Sequence, residues 1–173
     1  MNTEVNRPGD PGLVIRFAGK EDLDRVHSIE DSCFDDPWPA ADFRWLHEQP
    51  LCDILVVESQ AAGICGFSIS RYSPPLAEII DIAILPQVRR KGYAALLLEA
   101  ATRQSVAHLC HTIFLEVRCS NQAAISLYER NGYTETGKIQ KYYADGEDGL
   151  QLRRLITDSE ESAVNAIRTE DKK

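Results

Sequence analysis

Leu85 to Ala100, LPQVRRKGYAALLLEA, reads as the end of a strand, a basic turn and the start of a helix. Within it Arg89, Gly92 and Ala94 keep a basic-x-x-Gly-x-small spacing. Small residues there let backbone N–H groups approach a ligand, and a helix N-terminus attracts negative charge. The chemistry of such a stretch is that of a phosphate cradle; the plainer reading is a basic turn ahead of an amphipathic helix. It lacks the GKS or GKT of a P-loop and the GxGxxG of a dinucleotide fold, which weighs against nucleoside triphosphates and NAD.

Downstream, Glu116 interrupts the apolar run IFLEV. In a strand, Phe114, Glu116 and Arg118 share one face, opposite Ile113, Leu115 and Val117. A carboxylate desolvated in that setting suits a general base. Two alternatives are a solvated face and an ion pair with Arg118. The helix that follows stacks Asn121, Ala124 and Tyr128 on one side. A Tyr128 hydroxyl facing a cleft can donate a proton to a leaving group; a tyrosine at that spacing also suits a core.

Those groups need elements to hold them. Leu13–Phe17 has strand character, and Glu21–Cys33 repeats Leu23, Val26 and Ile29 at helical spacing. Asp35–Pro39 (DDPWP) is a turn, and Ala40–His47 is a second helix with Phe43 and Leu46 inward. Residues 53–58, 63–71 and 77–85 are three strand-like runs, the third so apolar that it is expected to be buried on both faces. A helix over 90–109, a strand over 112–118, a helix over 121–130 closed by Gly132, and strands at 133–136 and 149–155 complete the chain. The pattern predicts an α+β fold: one mixed, mostly antiparallel sheet of about seven strands flanked by about four helices. Residues 1–12 are expected to be a flexible N-terminus, 13–156 the folded domain, and 157–173 a charged flexible tail.

A chain of 173 residues with 43% hydrophobic and 27% charged residues fits one packed domain. Its net charge is −8; the first twelve residues carry −1 and the last seventeen −2, which leaves −5 on the body. An acidic body weighs against nucleic acid and suits a cationic acceptor such as an amine or basic peptide. No apolar run approaches the ~18 residues of a membrane span, and MNTEVNRPGDPG has no signal-type apolar core. The five cysteines form no CxxC pair, as expected of reduced thiols in a cytoplasmic protein. The four histidines form neither HExxH nor a Cys/His cluster, so no metal is expected.

The order IIDIAILP, QVRRKGYAALLL, LEVRCSNQAAISLYERNGY resembles the GCN5-related N-acetyltransferase (GNAT) superfamily, and most closely its ribosomal-protein-alanine N-acetyltransferase branch. Tyr133 stands where that branch usually has Phe; its PW turn is matched by Pro37-Trp38 and its paired tyrosines by Tyr142-Tyr143. The resemblance spans roughly residues 13–156. It implies acetyl-CoA as cosubstrate, with Arg90, Lys91, Gly92, Tyr93, Ala94 and Ala95 at the pyrophosphate. It implies backbone hydrogen bonds from Ile82, Ala83 and Ile84 to the pantetheine, and a CoA contact at Asn121. Glu116 takes the role of general base and Tyr128 that of general acid. Trp38, Tyr142 and Tyr143 are implied to line the acceptor groove, although Trp38 equally suits a core. Tyr93 is bulkier than usual and is expected to point away from the phosphates.

The implied reaction moves an acetyl group to the α-amino group of a protein N-terminus, such as a ribosomal protein beginning with Ala or Ser. The implied state is a monomer or weak homodimer. An α-amino group (pKa about 7.7–8.0) sheds its proton more readily than lysine (about 10.4), a difference of about 3.4 kcal/mol. One glutamate therefore suffices more readily for an N-terminus. Two competing readings are the same chemistry on a polyamine, aminoglycoside or lysine, and a non-catalytic acyl-CoA-binding module.

Overall fold

The computed structural model describes residues 3–7, 10–162 and 164, with side chains from Gly12 onward. The elements are β1 (Thr3–Arg7), β2 (Asp10–Phe17), α1 (Leu23–Cys33), α2 (Ala40–His47), β3 (Cys52–Ser59), β4 (Gly63–Ser73), β5 (Leu76–Ile84), α3 (Tyr93–Ala107), β6 (Thr112–Arg118), α4 (Gln122–Arg130), β7 (Thr134–Ile139) and β8 (Gly149–Leu155). Short 3-10 turns at Lys20–Asp22 and Pro86–Val88 precede α1 and the α3 loop. The eight strands hydrogen-bond in the order β1-β2-β3-β4-β5-β6-β8-β7. The β5/β6 pair is parallel, whereas the β1/β2, β2/β3, β3/β4, β6/β8 and β7/β8 pairs are antiparallel. This is the mixed α+β architecture the pattern implies, with β1 as the additional strand.

The chain divides into two compact units, residues 1–71 with 81–101, and residues 72–80 with 102–173. In the first, β4 is buried at every residue from Ile64 to Ser70, so this strand has both faces covered. That role was expected of β5, whose burial instead alternates along its first half. The helices α1 and α2 turn Leu23, Val26, Ile29, Phe43 and Leu46 inward, and Phe43 meets Phe67 edge-on at 5.9 Å. Leu13, Ile15, Leu55, Val57, Ile84, Tyr93 and Leu97 form one buried cluster. Each such side chain contributes about 1.5–3 kcal/mol through removal from water. Gly66 allows β5 to come close: a Cβ there would lie 2.3 Å from Ile84 Cδ1 and 2.8 Å from the Ala83 carbonyl oxygen.

In the second unit β6 pairs with β8 along its whole length, Thr112↔Leu155 to Arg118↔Gly149. Its parallel ladder with β5 covers only Leu76↔Thr112, Ala77↔Ile113 and Glu78↔Phe114. Helix α4 ends at Gly132 (φ 83°), the expected left-handed cap, and β7 follows with a register shift between Glu135 and Gly137.

Two segments outside residues 13–156 carry regular structure. Residues 3–7 form β1, paired antiparallel with β2 from Thr3↔Ile15 to Arg7↔Asp10. After β8, residues 158–162 are helical. Thr157 opens that turn by a reciprocal cap, its N–H donating to Glu160 Oε2 at 3.0 Å and its Oγ1 accepting from Glu160 N–H at 3.4 Å. Arg154 bonds Glu160 and donates to Thr102 Oγ1 at 2.7 Å. Residues 165–173 of the expected tail lie outside the described residues. No helix among the described residues is long and apolar enough to cross a membrane.

Candidate active site

The cradle lies in the first unit. Helix α3 begins at Tyr93 because the chain before it takes left-handed conformations at Arg90 (φ 65°) and Gly92 (φ 78°), which no helix accommodates. Leu96 N–H bonds back to the Gly92 carbonyl at 3.3 Å, and the N–H groups of Tyr93, Ala94 and Ala95 belong to the opening turn of the helix. Arg90 and Lys91 are exposed, Gly92, Ala94 and Ala95 half-buried. The Tyr93 side chain sits in the core at 2% exposure, which leaves only its backbone at the turn. Arg89 of the basic spacing is exposed, and its Nε donates to the Ile84 carbonyl at 2.9 Å. Cys33 Sγ donates to the same oxygen at 3.4 Å, so of Ile82, Ala83 and Ile84 the last already has its carbonyl occupied.

Behind this strand end stands a pair of acids that the motif reading missed. Glu30 on α1 is 2% exposed and its Oε1 accepts the Trp38 N–H at 3.2 Å. Asp81 on β5 accepts the N–H of Ile82, and the Asp81 and Glu30 carboxyls act on each other, while Glu30 Oε2 and Asp81 Oδ2 are both buried without a hydrogen-bond partner. Burial pushes the Glu30 carboxyl up, and burial together with the Glu30 charge pushes Asp81 well above the usual carboxylate range. Trp38 itself is half-buried, its ring 6.3 Å from that of Phe43.

The candidate base lies in the second unit. β6 alternates as expected, with Ile113, Leu115 and Val117 buried and Phe114, Glu116 and Arg118 half-buried. Glu116 stands opposite Gln151 of β8, whose Nε2 donates to Glu116 Oε1 at 2.9 Å. Arg118 does not pair with it. That guanidinium bonds Asp145 at 2.7 Å and Glu147 at 2.9 Å and lies 4.0 Å over the Tyr143 ring. Tyr142 and Tyr143 meet edge-on at 5.1 Å. The Tyr142 ring rests on Gly149, where a Cβ would come within 3.0 Å of it. Burial, then the charges of Glu116 and Glu78, push the Tyr142 phenol up; burial and the neighbouring Tyr142 push Tyr143 up to about 12. Glu116, Glu78, Tyr142 and Tyr143 thus form one acidic, aromatic cluster.

Asn121 and Tyr128 sit on α4 as the spacing predicts. Asn121 is the N-cap, its Oδ1 accepting Ala124 N–H at 3.2 Å. Tyr128 is 5% exposed, its ring 5.8 Å from Tyr133 in an edge-on contact. Glu78, Gln151 and Glu30 escaped the motif reading, as did the Asp81 side chain and the partners of Arg118. Glu30 and Asp81 carried a signal, each being a lone acid inside an otherwise apolar stripe.

In the second unit the parallel strand pair parts after three residues, and Glu116 stands two residues past the parting. Comparison with known proteins gives the family. The model of the Acetyltransferase (GNAT) family matches residues 23–133, and the chain belongs to that family as an N-acetyltransferase. It is similar to an N-alpha-acetyltransferase of Saccharolobus solfataricus, 32% identical over 156 residues, 83% of this chain and 93% of that protein. A Bacillus subtilis protein provisionally named a [ribosomal protein bS18]-alanine N-acetyltransferase is 37% identical over 140 residues, 79% of this chain and 91% of its own. The crystal structure of the ribosomal-protein-S18-alanine N-acetyltransferase from Escherichia coli superposes with a TM-score of 0.76 at 28% identity, covering 84% of this chain and 94% of that one.

Proposed function

We propose that the protein transfers an acetyl group from acetyl-CoA to the α-amino group of a protein N-terminus, with a ribosomal protein beginning with Ala or Ser as acceptor. The observation that carries the reading is Glu116, held by Gln151 and flanked by Tyr142 and Tyr143, two residues past the last β5–β6 pair. The Arg90–Ala95 backbone binds the pyrophosphate, and Ile82, Ala83 and Ile84 hold the pantetheine as an added strand would. Asn121, its Oδ1 committed to the cap, contributes its amide N–H to the same cofactor.

Glu116 takes the proton from the incoming ammonium, since Gln151 occupies one carboxylate oxygen and leaves the other as acceptor. The neutral amine then attacks the thioester carbonyl, the C–S bond breaks, Tyr128 protonates the departing thiolate, and the second proton shed by the attacking nitrogen restores the Tyr128 phenol. Tyr142, Tyr143 and Trp38 line the acceptor groove. Arg118 holds the Tyr143 ring, and Asp145 and Glu147 hold Arg118. One observation favours a second reading. Glu78 and Glu116 both act on Tyr142, a density of negative charge that also suits a polyamine or an aminoglycoside.

Thiol release separates the readings. With acetyl-CoA, peptides beginning Ala, Ser or Met should yield free thiol, and an Nα-blocked lysine peptide and spermidine should not. Turnover on spermidine alone selects the second reading. CoA binding by calorimetry with no thiol from any amine makes the protein a binding module.

A further inference from the structure

Glu30 Oε2 and Asp81 Oδ2 are buried and have no hydrogen-bond donor as long as both acids are ionised. A buried polar atom left unpaired costs roughly 1–3 kcal/mol, and a buried charge more. The two carboxyls act on each other and each has one buried oxygen without a donor, so a single proton between them satisfies both oxygens at once. What that proton holds is specific. Glu30 carries the Trp38 N–H on its other oxygen, and Asp81 carries the N–H of Ile82.

We propose that Glu30 and Asp81 share one proton, and that this proton fixes the Pro37–Trp38 turn against the start of the Ile82–Ile84 segment, making Asp81 a positioning residue for the acceptor. The acceptor clause rests on the reading of Trp38 given under the proposed function; the shared proton does not. Loss of the proton puts a second negative charge into the pair. The repulsion loosens Glu30 from Asp81, and the Trp38 N–H loses its fixed acceptor.

The groups acting on the pair are named by the structure. His27 and Asp31 act on Glu30 from α1, and Trp38 N–H bonds it from the turn. Cys33 feels both acids, and its thiol shares the Ile84 carbonyl with Arg89 Nε. His27 favours ionisation of Glu30, Asp31 opposes it, and burial opposes it most.

The experiment uses the full chain with Trp45→Phe, which leaves Trp38 as the only tryptophan, since the chain has two. Trp38 emission is followed against pH with and without Asp81→Asn. An Asn amide donates permanently to Glu30 and its oxygen still accepts from Ile82, so the variant imitates the protonated pair. The acceptor KM for an Ala-initiated peptide and the KM for acetyl-CoA are measured over the same range. The expected result is an alkaline transition in Trp38 emission that Asp81→Asn abolishes. The ratio of acceptor KM, parent over Asp81→Asn, should rise about tenfold across that transition, the scale of one lost hydrogen bond. The ratio for acetyl-CoA should stay flat. Asp81→Leu, which removes both the donor and the acceptor, should show the disturbed emission at every pH. An emission transition surviving in Asp81→Asn, or missing from both proteins, overturns the shared proton. Abolition of the transition with no acceptor KM change overturns the acceptor role alone. If no peptide is acetylated by either protein, the proposed function fails while the emission result still decides the proton.

Discussion

Glu116→Gln is the perturbation that speaks most directly to the chemistry. The replacement keeps the shape of the side chain, and a Gln oxygen at this position still accepts from Gln151 Nε2, whose present bond is 2.9 Å. The aromatic neighbours therefore stay in place, and what is lost is the capacity to take a proton. With the base present, the proton moves from ammonium to carboxylate inside the complex, so the rate should be nearly flat between about pH 6 and pH 8. Without it, only amine already neutral reacts. For an α-amino group of pKa about 8 that is about 1% at pH 6 and half at pH 8. A general base is worth roughly 10²–10⁴ in rate. The deficit should therefore be about 10³-fold near pH 6 and shrink about tenfold per pH unit up to the acceptor's pKa. Thiol release against pH with an Ala-initiated peptide checks this, with CoA affinity from calorimetry expected to be unchanged. Parallel pH profiles for the two proteins, or undiminished turnover at pH 6, would refute the assignment.

Tyr128→Phe should slow thiol release by about 10²-fold with little change in Tm, because the ring still packs on Tyr133; an unaltered rate returns Tyr128 to the core. Arg118→Leu removes the cation held over the Tyr143 ring. The acceptor KM should rise several-fold while the acetyl-CoA KM holds, measured by steady-state kinetics. Gly66→Ala should destabilise by about 1–3 kcal/mol, since its Cβ meets Ile84 Cδ1 at 2.3 Å and backbone at 2.8 Å, with weakened CoA binding as the second readout. Asp81 binds its proton more tightly folded than unfolded, its ordinary value being 3.8. Its contribution is therefore complete below that value and lost as pH rises toward the folded value. The Tm of Asp81→Asn minus that of the parent should accordingly grow from pH 5 to pH 8; a constant difference contradicts the raised value.

Much of the fold is legible because periodicity and punctuation agree. Ala40–His47 occupies its expected span since a proline turn precedes it and Phe43 and Leu46 mark its inner face. Helix α4 closes at Gly132, where the chain needs a positive φ. β1 was not legible, because a short polar segment with no apolar alternation becomes a strand only when β2 offers an edge. The double-sided burial expected of β5 falls to β4, since apolar content does not say which strand lies centrally. At the site, Glu116 and the paired tyrosines could be found by motif, but their holders could not. Gln151 faces Glu116 only through the β6–β8 register, and Arg118 chooses Asp145 and Glu147 over Glu116 only once the 140–148 loop has folded. Glu30 and Asp81 are fifty-one residues apart, and nothing in the spacing joins them. The hydrogen bond from Arg89 Nε to the Ile84 carbonyl likewise depends on how the turn folds back on β5, which spacing does not give.

The account turns on where the acetyl group goes. The decisive measurement is fragment mass spectrometry of an Ala-initiated peptide that also carries an internal lysine, after incubation with acetyl-CoA and the protein. One acetyl group on the N-terminal fragment, absent with Glu116→Gln near pH 6, is the result predicted. Acetyl on the lysine fragment, or none on the peptide while spermidine in the same tube is modified, would contradict it.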